Sequence, residues 1–249
     1  MDLQLDGRVA IVTGASRGLG WAIASAFATE GMKVIAAARS LDDLQQLASL
    51  HPGSIEAVQC DMSDRDQVVQ LVDVALERFG RLDVVVNNAG IAPAGKFVDM
   101  ELDTWDQVFA VNLFGPVALA RKAGEVFIEQ GHGKVLNIAS TSGLRGKPIL
   151  AAYSSSKGAM LRFTEAVAAE WAPKGVQVNV IAPGAFETDA QSAVTDDPEM
   201  LKARLKKIPS RRMGNIDEIG PLACYLASPL SNFVTGATYV IDGGEANKL

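Results

Sequence analysis

Short apolar runs that alternate with helix-length segments are the feature that most constrains the fold of this 249-residue chain. The runs predicted to be strands are Val9–Thr13, Lys33–Ala38, Ile55–Cys60, Asp83–Asn87, Lys134–Ala139, Gln177–Ile181 and Thr238–Ile241. Strands that are apolar throughout, rather than at every second position, are typical of a parallel sheet covered by helices on both faces. The repeated βα units therefore predict a Rossmann-type α/β fold, with a doubly wound parallel sheet of about seven strands.

Segments with helical spacing separate these runs, and no Pro/Gly/Ser-rich linker divides the chain. The predicted helices are Gly18–Glu30, Leu41–Leu50, Asp64–Phe79, Thr104–Gln130 and Tyr153–Ala172. We therefore expect one domain over residues 1–249. In doubly wound folds, ligands bind at the carboxyl ends of the strands, so the loops that follow each strand are the candidate functional sites.

Composition excludes several classes of function. The net charge of −6 argues against a general affinity for nucleic acid, which needs a basic surface. No apolar run approaches the ~20 residues that span a bilayer, and the N-terminus lacks a signal-peptide pattern. The two cysteines, Cys60 and Cys224, and two histidines in turn-like contexts predict neither a disulfide framework nor a metal site. A cytoplasmic protein with no membrane or nucleic-acid partner is expected.

A glycine-rich loop, Thr13 to Gly20, joins the first strand to the first helix with the pattern TGxxxGxG. Glycines there permit a tight turn and let backbone N–H groups approach a pyrophosphate at the helix N-terminus. This spacing resembles that of the short-chain dehydrogenase/reductase family, and the resemblance extends over six motifs from Gly7 to Gly244. The candidate cofactor contacts in the loop are Gly14, Ser16, Arg17, Gly18 and Leu19.

The end of the second strand bears on which dinucleotide binds. NAD-selective sites place an acid there for the ribose 2′-hydroxyl, but this strand ends in Ala38-Arg39-Ser40, and the next carboxylate is Asp42. Arg39 and Arg17 can instead form charge-assisted hydrogen bonds with a 2′-phosphate. Either arginine alone would be interpreted as a solvated surface charge. Together, at positions where NADP-preferring family members carry arginines, they favour NADP(H) over NAD(H).

Three further loops fit the same cofactor. Asp61 and Met62 follow the third strand, where the family commonly has an aspartate for the adenine, although Asp61 as a helix cap is the alternative. The fourth strand ends in an NNAG motif that is characteristic of the family. In the family, the PG loop after the sixth strand contacts the nicotinamide. The candidate contacts in the last two loops are Asn88, Ala89, Gly90, Pro183, Gly184, Phe186 and Thr188.

Tyr153 and Lys157 are the candidates for acid–base chemistry. Four residues apart on a helix, they can face one cleft, and a nearby ammonium is expected to lower the pKa of the phenol from its usual ~10. Ser140, at the end of a strand, can hydrogen-bond a substrate oxygen. These three residues match the family's catalytic triad. Asn112 matches its fourth member, which the family associates with a helix distortion and a water that reaches the lysine.

The resemblance implies an enzyme that uses NADP(H) to interconvert a ketone and a secondary alcohol, usually as a dimer or tetramer. We expect residues 185–212 to cover the substrate, and Ala92, Leu144, Arg145 and Leu150 to line the pocket. Arg145 is a candidate for contact with an anionic group, with a solvated loop arginine as the alternative. A 3-oxoacyl thioester is the first substrate candidate by family frequency, followed by a sugar, polyol or other small ketone. A regulatory protein that binds NADP(H) without turnover is the alternative of another class.

Overall fold

All seven predicted strands are present and form one parallel sheet in a computed structural model, which describes residues 2–188 and 192–246. The strands are β1 (Val9–Thr13), β2 (Lys33–Ala38), β3 (Ile55–Gln59), β4 (Val84–Asn87), β5 (Gly133–Ile138), β6 (Val176–Pro183) and β7 (Thr238–Ile241). Their order across the sheet is β3-β2-β1-β4-β5-β6-β7. The strand order reverses between β1 and β4, and a crevice for a ligand is expected at the carboxyl ends there. The predicted fold class is confirmed.

Helices cover both faces of the sheet. They are α1 (Gly18–Thr29), α2 (Leu41–Leu50), α3 (Arg65–Phe79), α4 (Leu102–Phe109), α5 (Gly115–Gln130), α6 (Thr141–Leu144), α7 (Ala151–Trp171), α8 (Ser192–Thr195), α9 (Pro198–Lys206) and α10 (Ile219–Ala227). Short 3₁₀ turns occupy Phe97–Asp99, Ala172–Lys174, Ile216–Glu218 and Pro229–Ser231. Within the described ranges, no helix has the length and apolar character that crossing a membrane requires.

Two buried clusters lie on opposite faces of the sheet, and β1 contributes to both because its side chains alternate between the faces. Val12 packs with Phe27 of α1 and with residues of α2 and α10. Ile11 points to the other face and packs with Leu71 of α3 and Leu119 of α5. All five residues of β1 are buried, as the continuously apolar pattern predicts for a central strand.

The prediction of one helix over Thr104–Gln130 is wrong in its detail. The segment consists of α4, a π-helical turn at Ala110–Phe114, and α5, which has a proline in its first turn. In a π-helical turn the backbone hydrogen bonds span one more residue than in an α-helix, and such turns are frequent at functional sites. Asn112 lies in this turn, so the helix distortion implied by the family resemblance is present. The other boundaries differ from the prediction by one or two residues.

Candidate active site

The glycine loop packs directly against the NNAG segment at the carboxyl ends of β1 and β4. The Asn88 amide donates from Nδ2 to the carbonyls of Thr13 (2.9 Å) and Gly14 (3.1 Å). The Thr13 hydroxyl in turn accepts from the backbone N–H groups of Asn88 (3.0 Å) and Ala89 (3.2 Å). These bonds hold the two loops in register. The Asn88 side chain therefore holds the glycine loop in place through its carbonyl groups, a role that was not predicted for Asn88 or for Thr13.

Glycine is required where this packing is closest. A Cβ atom on Gly20 would lie 2.3 Å from the Gly14 carbonyl oxygen and 2.4 Å from Asn88 Nδ2. Gly14 adopts a φ of +66°, in the left-handed region that favours glycine. The backbone therefore turns tightly into the N-terminus of α1, where its N–H groups and the helix dipole suit a pyrophosphate. The residues present fit a dinucleotide.

Two arginines lie at the outer edge of this loop region. Arg17 is the residue preceding α1, and Arg39 follows β2, the strand beside β1. Both are exposed, and neither forms an ion pair within the described residues. Asp42 lies in the first turn of α2, as expected. Both guanidinium groups are therefore available to an anionic group of a bound cofactor.

Asp61 and Met62 follow β3 but differ in what they can offer a cofactor. Asp61 Oδ1 accepts hydrogen bonds from the backbone N–H and the hydroxyl of Ser63, and these bonds lower the pKa of its carboxyl, with a smaller contribution from the Arg39 charge. The cap of α3 is Asp64, so the alternative role of Asp61 as helix cap is wrong. Met62 is buried in the core, so only its backbone is available to a ligand.

Ser140 and Tyr153 come together beside the end of β5. Ser140 precedes α6 and its hydroxyl accepts from the Ser142 N–H at 3.1 Å. The Tyr153 side chain, in the first turn of α7, lies close enough to Ser140 for the serine hydroxyl to influence the pKa of the phenol. Loss of water raises the pKa of Tyr153, and the Ser140 hydroxyl acts in the opposite direction with a smaller effect. A serine hydroxyl and a protonated phenol thus lie within reach of one bound oxygen atom.

Lys157 is buried one helical turn beyond Tyr153. Its ammonium donates to the Ile138 carbonyl at 2.7 Å and lies 5.9 Å from the centre of the Tyr153 ring. Loss of water lowers its own pKa to about 8. The expectation that Lys157 lowers the phenol pKa is wrong for this arrangement, because burial dominates the pKa of Tyr153. The ammonium also lies 3.5 Å from where a Cβ of Gly90 would be, so the NNAG glycine leaves room for the lysine.

Asn112 joins the π turn to two other parts of the site. Its Oδ1 accepts from the Ile91 N–H at 2.8 Å, and its Nδ2 donates to the Ile91 carbonyl at 2.9 Å. Nδ2 also lies 3.1 Å from the hydroxyl of Ser156, which donates to the Tyr153 carbonyl at 2.8 Å. Asn112 therefore connects the NNAG loop to the helix of Tyr153 and Lys157. Sequence reasoning missed Ser156, for which the only signal was its place within the YSSSK motif.

The loop after β6 faces the glycine loop. Gly184 packs against Asp242, where a Cβ would approach within 2.5 Å of the Asp242 Cβ. The Phe186 ring is buried in the core, while its backbone forms a parallel bridge with Gly214. Thr188 Cγ2 would lie 3.5 Å from a Cβ on Gly18, so the end of this loop reaches the glycine loop. Pro183, Gly184, Phe186 and Thr188 lie at the end of β6 and in the loop after it, and their contact with the nicotinamide stays a prediction. Residues 189–191 of the predicted cover, 185–212, lie outside the described residues.

The predicted pocket residues come from two stretches of the chain: Ala92 lies in the loop after β4, and the other three lie between the end of α6 and the start of α7. Ala92, Leu144 and Arg145 are exposed, and Leu150 is half-buried. The Gly95 N–H donates to the Ile149 carbonyl at 2.9 Å, which ties the two loops together. Ile149 has a φ of +62°, a strained conformation for a β-branched residue, and 57% of it is exposed. Ile149 precedes Leu150, which is predicted to line the pocket, and strained backbone of this kind is often found at functional sites.

Comparison with known proteins supports the chemistry that this arrangement allows. A sequence model of the family described as enoyl-(acyl carrier protein) reductase matches residues 14–245. The chain is 37% identical to the 2-dehydro-3-deoxy-D-gluconate 5-dehydrogenase of Pseudoalteromonas atlantica, over 97% of this chain and 96% of that protein. It is 35% identical to the 3-oxoacyl-[acyl-carrier-protein] reductase of Thermotoga maritima, over 97% and 99% of the two chains.

One solved structure is similar to this chain along nearly the full length of both proteins. The crystal structure of a gluconate 5-dehydrogenase from Burkholderia cenocepacia, in complex with NADP and tartrate, has a TM-score of 0.94 and 34% sequence identity. The similarity covers 100% of this chain and 98% of that one. The predicted loops and side chains therefore lie in a chain that is similar to proteins named as dehydrogenases and reductases.

Proposed function

Because this chain belongs to the short-chain dehydrogenase/reductase family, we propose that it is an NADP(H)-dependent oxidoreductase that interconverts a ketone and a secondary alcohol. The observation that carries this proposal is the meeting of Ser140, Tyr153 and Lys157 at the sheet edge that also holds the glycine loop. A binding protein without turnover has no need of a half-buried phenol and a buried ammonium beside a serine hydroxyl. The intact set thus argues against the non-catalytic alternative.

In the proposed mechanism, the glycine loop would hold NADPH, which when bound would supply a hydride for the carbonyl carbon. Ser140 holds the carbonyl oxygen, and Tyr153 donates the proton that turns it into a hydroxyl. The raised pKa of Tyr153 keeps the phenol protonated before the reaction, so that it carries the proton to be donated. Lys157, with a pKa of about 8, binds the cofactor ribose and returns a proton to the phenol. Asn112 keeps the NNAG loop and α7 in position for these steps.

NADP(H) is favoured over NAD(H) by the two arginines beside the glycine loop. Arg17 and Arg39 are exposed and unpaired within the described residues, and no carboxylate follows β2 directly. An Arg39→Asp substitution should lower the affinity for NADPH and raise that for NADH, because the new carboxylate repels a 2′-phosphate and accepts from a 2′-hydroxyl. Unchanged affinities for both cofactors in a fluorescence titration would show that Arg39 does not contact the phosphate.

The substrate class has two candidates among the relatives. One similar protein is named for a 3-oxoacyl thioester and two are named for gluconate derivatives, one of them with NADP and tartrate bound. We keep 3-oxoacyl thioester reduction and sugar-acid or polyol oxidation as the two alternatives within the proposed activity. The half-buried Leu150 makes one wall apolar, while neighbouring Lys147 adds a positive charge.

The decisive experiment is NADPH oxidation over a panel of carbonyl compounds that includes acetoacetyl thioesters, diketones, keto sugars and keto acids. Turnover by the wild-type protein and its loss in Tyr153→Phe, with NADPH binding retained, would support the proposal. Near-normal activity of Tyr153→Phe would show that another group is the acid. Tight NADPH binding without turnover of any ketone would favour the non-catalytic alternative.

We also propose a homodimer or homotetramer and a cytoplasmic location, with residues 185–212 as a cover within a single domain. Large apolar side chains before and within α4 are exposed, and a second subunit would bury them: Phe97, Val98 and Leu102 are 67%, 87% and 78% exposed. Both cysteines are buried thiols, as suits a reducing compartment. Size-exclusion chromatography with light scattering would test the assembly.

A further inference from the structure

A cavity opens at the amino-terminal ends of β1, β4, β5 and β6, at the edge of the sheet opposite the candidate active site. Its volume is about 640 Å³, which is within the range of small-molecule binding sites. The residues that line it include Arg8, Arg81, Asp83, His132, Lys134 and Asn232. Lys134 lies near the start of β5 and Ser140 lies beyond its end, so the rise of the strand separates them by roughly 20 Å. The cavity is therefore distinct from the proposed reaction site.

Backbone pairing holds three charged residues of this cavity side by side. Arg8 directly precedes β1, and Asp83 directly precedes β4, the neighbouring strand. The Asp83 N–H donates to the Val9 carbonyl at 2.9 Å, and the Lys134 N–H donates to the Asp83 carbonyl at 2.9 Å. Adjacent strands lie about 4.8 Å apart, so the three backbones occupy a strip about 10 Å wide.

The Asp83 carboxylate is already fully engaged. It accepts a two-pronged ion pair from Arg81 at 2.6 and 2.8 Å, and Arg8 Nη1 lies 3.4 Å from its Oδ1. Its Oδ2 also accepts from the Val9 N–H at 2.9 Å, and His132 Nε2 lies 3.4 Å from Oδ1. Asp83 therefore offers no acceptor for a further cation.

Lys134 is a buried cation whose hydrogen-bond partners are neutral. The residue is 6% exposed, and its ammonium donates to the Asn232 side-chain oxygen at 2.7 Å and to the Ser231 hydroxyl at 3.2 Å. It forms no ion pair with any residue in the ranges 2–188 and 192–246. Loss of water and the nearby Arg8 charge lower its pKa to about 8. A lysine is almost never this buried without an acidic partner, and a bound anion would supply one.

Lys134 and Arg8 each keep a donor for such an anion. An ammonium has three N–H donors, and the two hydrogen bonds of Lys134 use two of them. Arg8 donates from Nε to the Gln4 carbonyl at 2.9 Å and from Nη1 to Asp83, so its Nη2 has no partner within the part of the chain that the structure describes. One anion at this strip can therefore accept from both side chains.

The lining of the cavity carries an excess of positive charge. Arg8, Arg81 and Lys134 are cations, whereas Asp83 is the one acid among the described residues that line it. With His132 neutral, two positive charges are left unbalanced. A phosphate group carries about −1.5 to −2 charges at pH 7 and presents several acceptor oxygens, whereas a single carboxylate would balance only one of the two charges.

We propose that this cavity binds a phosphate group through the Lys134 ammonium and the Arg8 guanidinium. The group is either free inorganic phosphate or the phosphate of a small phosphorylated metabolite, for which the cavity volume leaves room. The proposal gives the protein a second ligand and does not depend on the proposed oxidoreductase activity, because the two sites lie at opposite ends of the strands.

The test is calorimetric titration of the protein at about pH 7 with sodium phosphate, glycerol 3-phosphate, succinate, and sodium chloride at matched ionic strength. Each titration is run with and without NADPH, because the glycine loop is another place where phosphate can bind. The wild-type protein should bind both phosphate compounds saturably in either condition. Their affinity should exceed that of succinate by about tenfold or more, since one phosphate group meets both cations.

Four variants assign the binding to this cavity. Lys134→Met should weaken the binding of phosphate by about 10- to 100-fold, because a charge-assisted hydrogen bond is lost. Arg8→Gln should weaken it by about tenfold and gives a second reading if Lys134→Met folds poorly. Lys33→Met is the matched control, since Lys33 begins β2 at the same edge of the sheet and its ammonium donates to the Gly53 carbonyl outside the cavity. Lys33→Met and Arg39→Gln should both bind phosphate like the wild type.

The order of affinities identifies the source of the phosphate. Tighter binding of glycerol 3-phosphate would support a phosphorylated metabolite, and tighter binding of inorganic phosphate would support the free ion. The proposal would be refuted by the absence of saturable binding, by an equal response to chloride, or by a preference for succinate. An equal loss of binding in Lys33→Met and Lys134→Met, or a loss in Arg39→Gln alone, would refute it as well. Circular dichroism confirms that each variant is folded.

Discussion

The hydrogen bonds of Asn112 allow one prediction to be worked out in detail. Replacing Asn112 with Ala removes three hydrogen bonds and leaves the Ile91 peptide and the Ser156 hydroxyl without their partner. At a net ~1 kcal/mol per bond, the free energy of unfolding should fall by about 3 kcal/mol. For a chain of this size, that corresponds to a melting temperature lower by roughly 6–12 °C.

The same substitution should also affect turnover. Ile91 follows Gly90, which packs beside Lys157, so a shift of this loop would displace groups that the proposed chemistry uses. We expect kcat to fall by about 10- to 100-fold even in the fully folded variant, because small misplacements of catalytic groups are costly. Thermal unfolding and NADPH oxidation at a temperature well below the transition measure the two effects separately.

Asn179 provides a matched control for this experiment. It is equally buried, and its amide bonds the Val234 carbonyl (2.8 Å) and the Ala237 N–H (3.1 Å), in a part of the sheet that the proposed chemistry does not use. Asn179→Ala should cost about 2 kcal/mol for its two lost bonds and leave kcat of the folded protein unchanged. If Asn112→Ala lost stability without any fall in kcat, or if both variants lost kcat equally, the argument that Asn112 positions the site would be refuted.

Three other substitutions test further details of the structure. Gly20→Ala should weaken NADPH binding by about tenfold or more, because the new Cβ would lie 2.3 Å from the Gly14 carbonyl oxygen. A fluorescence titration measures the Kd, and an unchanged value would contradict this prediction. Ile149→Gly should raise the free energy of unfolding by about 1 kcal/mol by relieving the positive φ, and a lower melting temperature would disprove the strain. Burial, together with the Arg8 charge, lowers the pKa of Lys134 to about 8, so above that pH the unfolded chain binds more protons than the folded protein. The free energy of unfolding of the wild type, relative to that of Lys134→Met, should therefore rise from pH 8 to about 10.5. A difference between the two proteins that stays constant with pH would count against this reasoning.

The fold could be predicted from the sequence because its signals are local. The continuously apolar run Val9–Thr13 is a buried central strand, and the remaining predicted strands occur at nearly the predicted positions. The TGxxxGxG and YxxxK patterns likewise depend on neighbours along the chain. The predicted single helix over Thr104–Gln130 failed at the π turn, because a π turn depends on partners outside the helix that hold the polar Asn112 side chain.

The sequence by itself determined the doubly wound parallel sheet, the loops that carry the site, and the identities of Ser140, Tyr153 and Lys157. The tertiary structure alone decided how these groups behave. It placed Asn112 on Ile91 and Ser156, 21 and 44 residues away along the chain, and Asn88 on Thr13, 75 residues away. It also placed the half-buried Tyr153 phenol where loss of water raises its pKa rather than lowering it. Periodicity and motif spacing follow from short-range geometry, whereas burial and hydrogen-bond partners follow from which distant segments pack together.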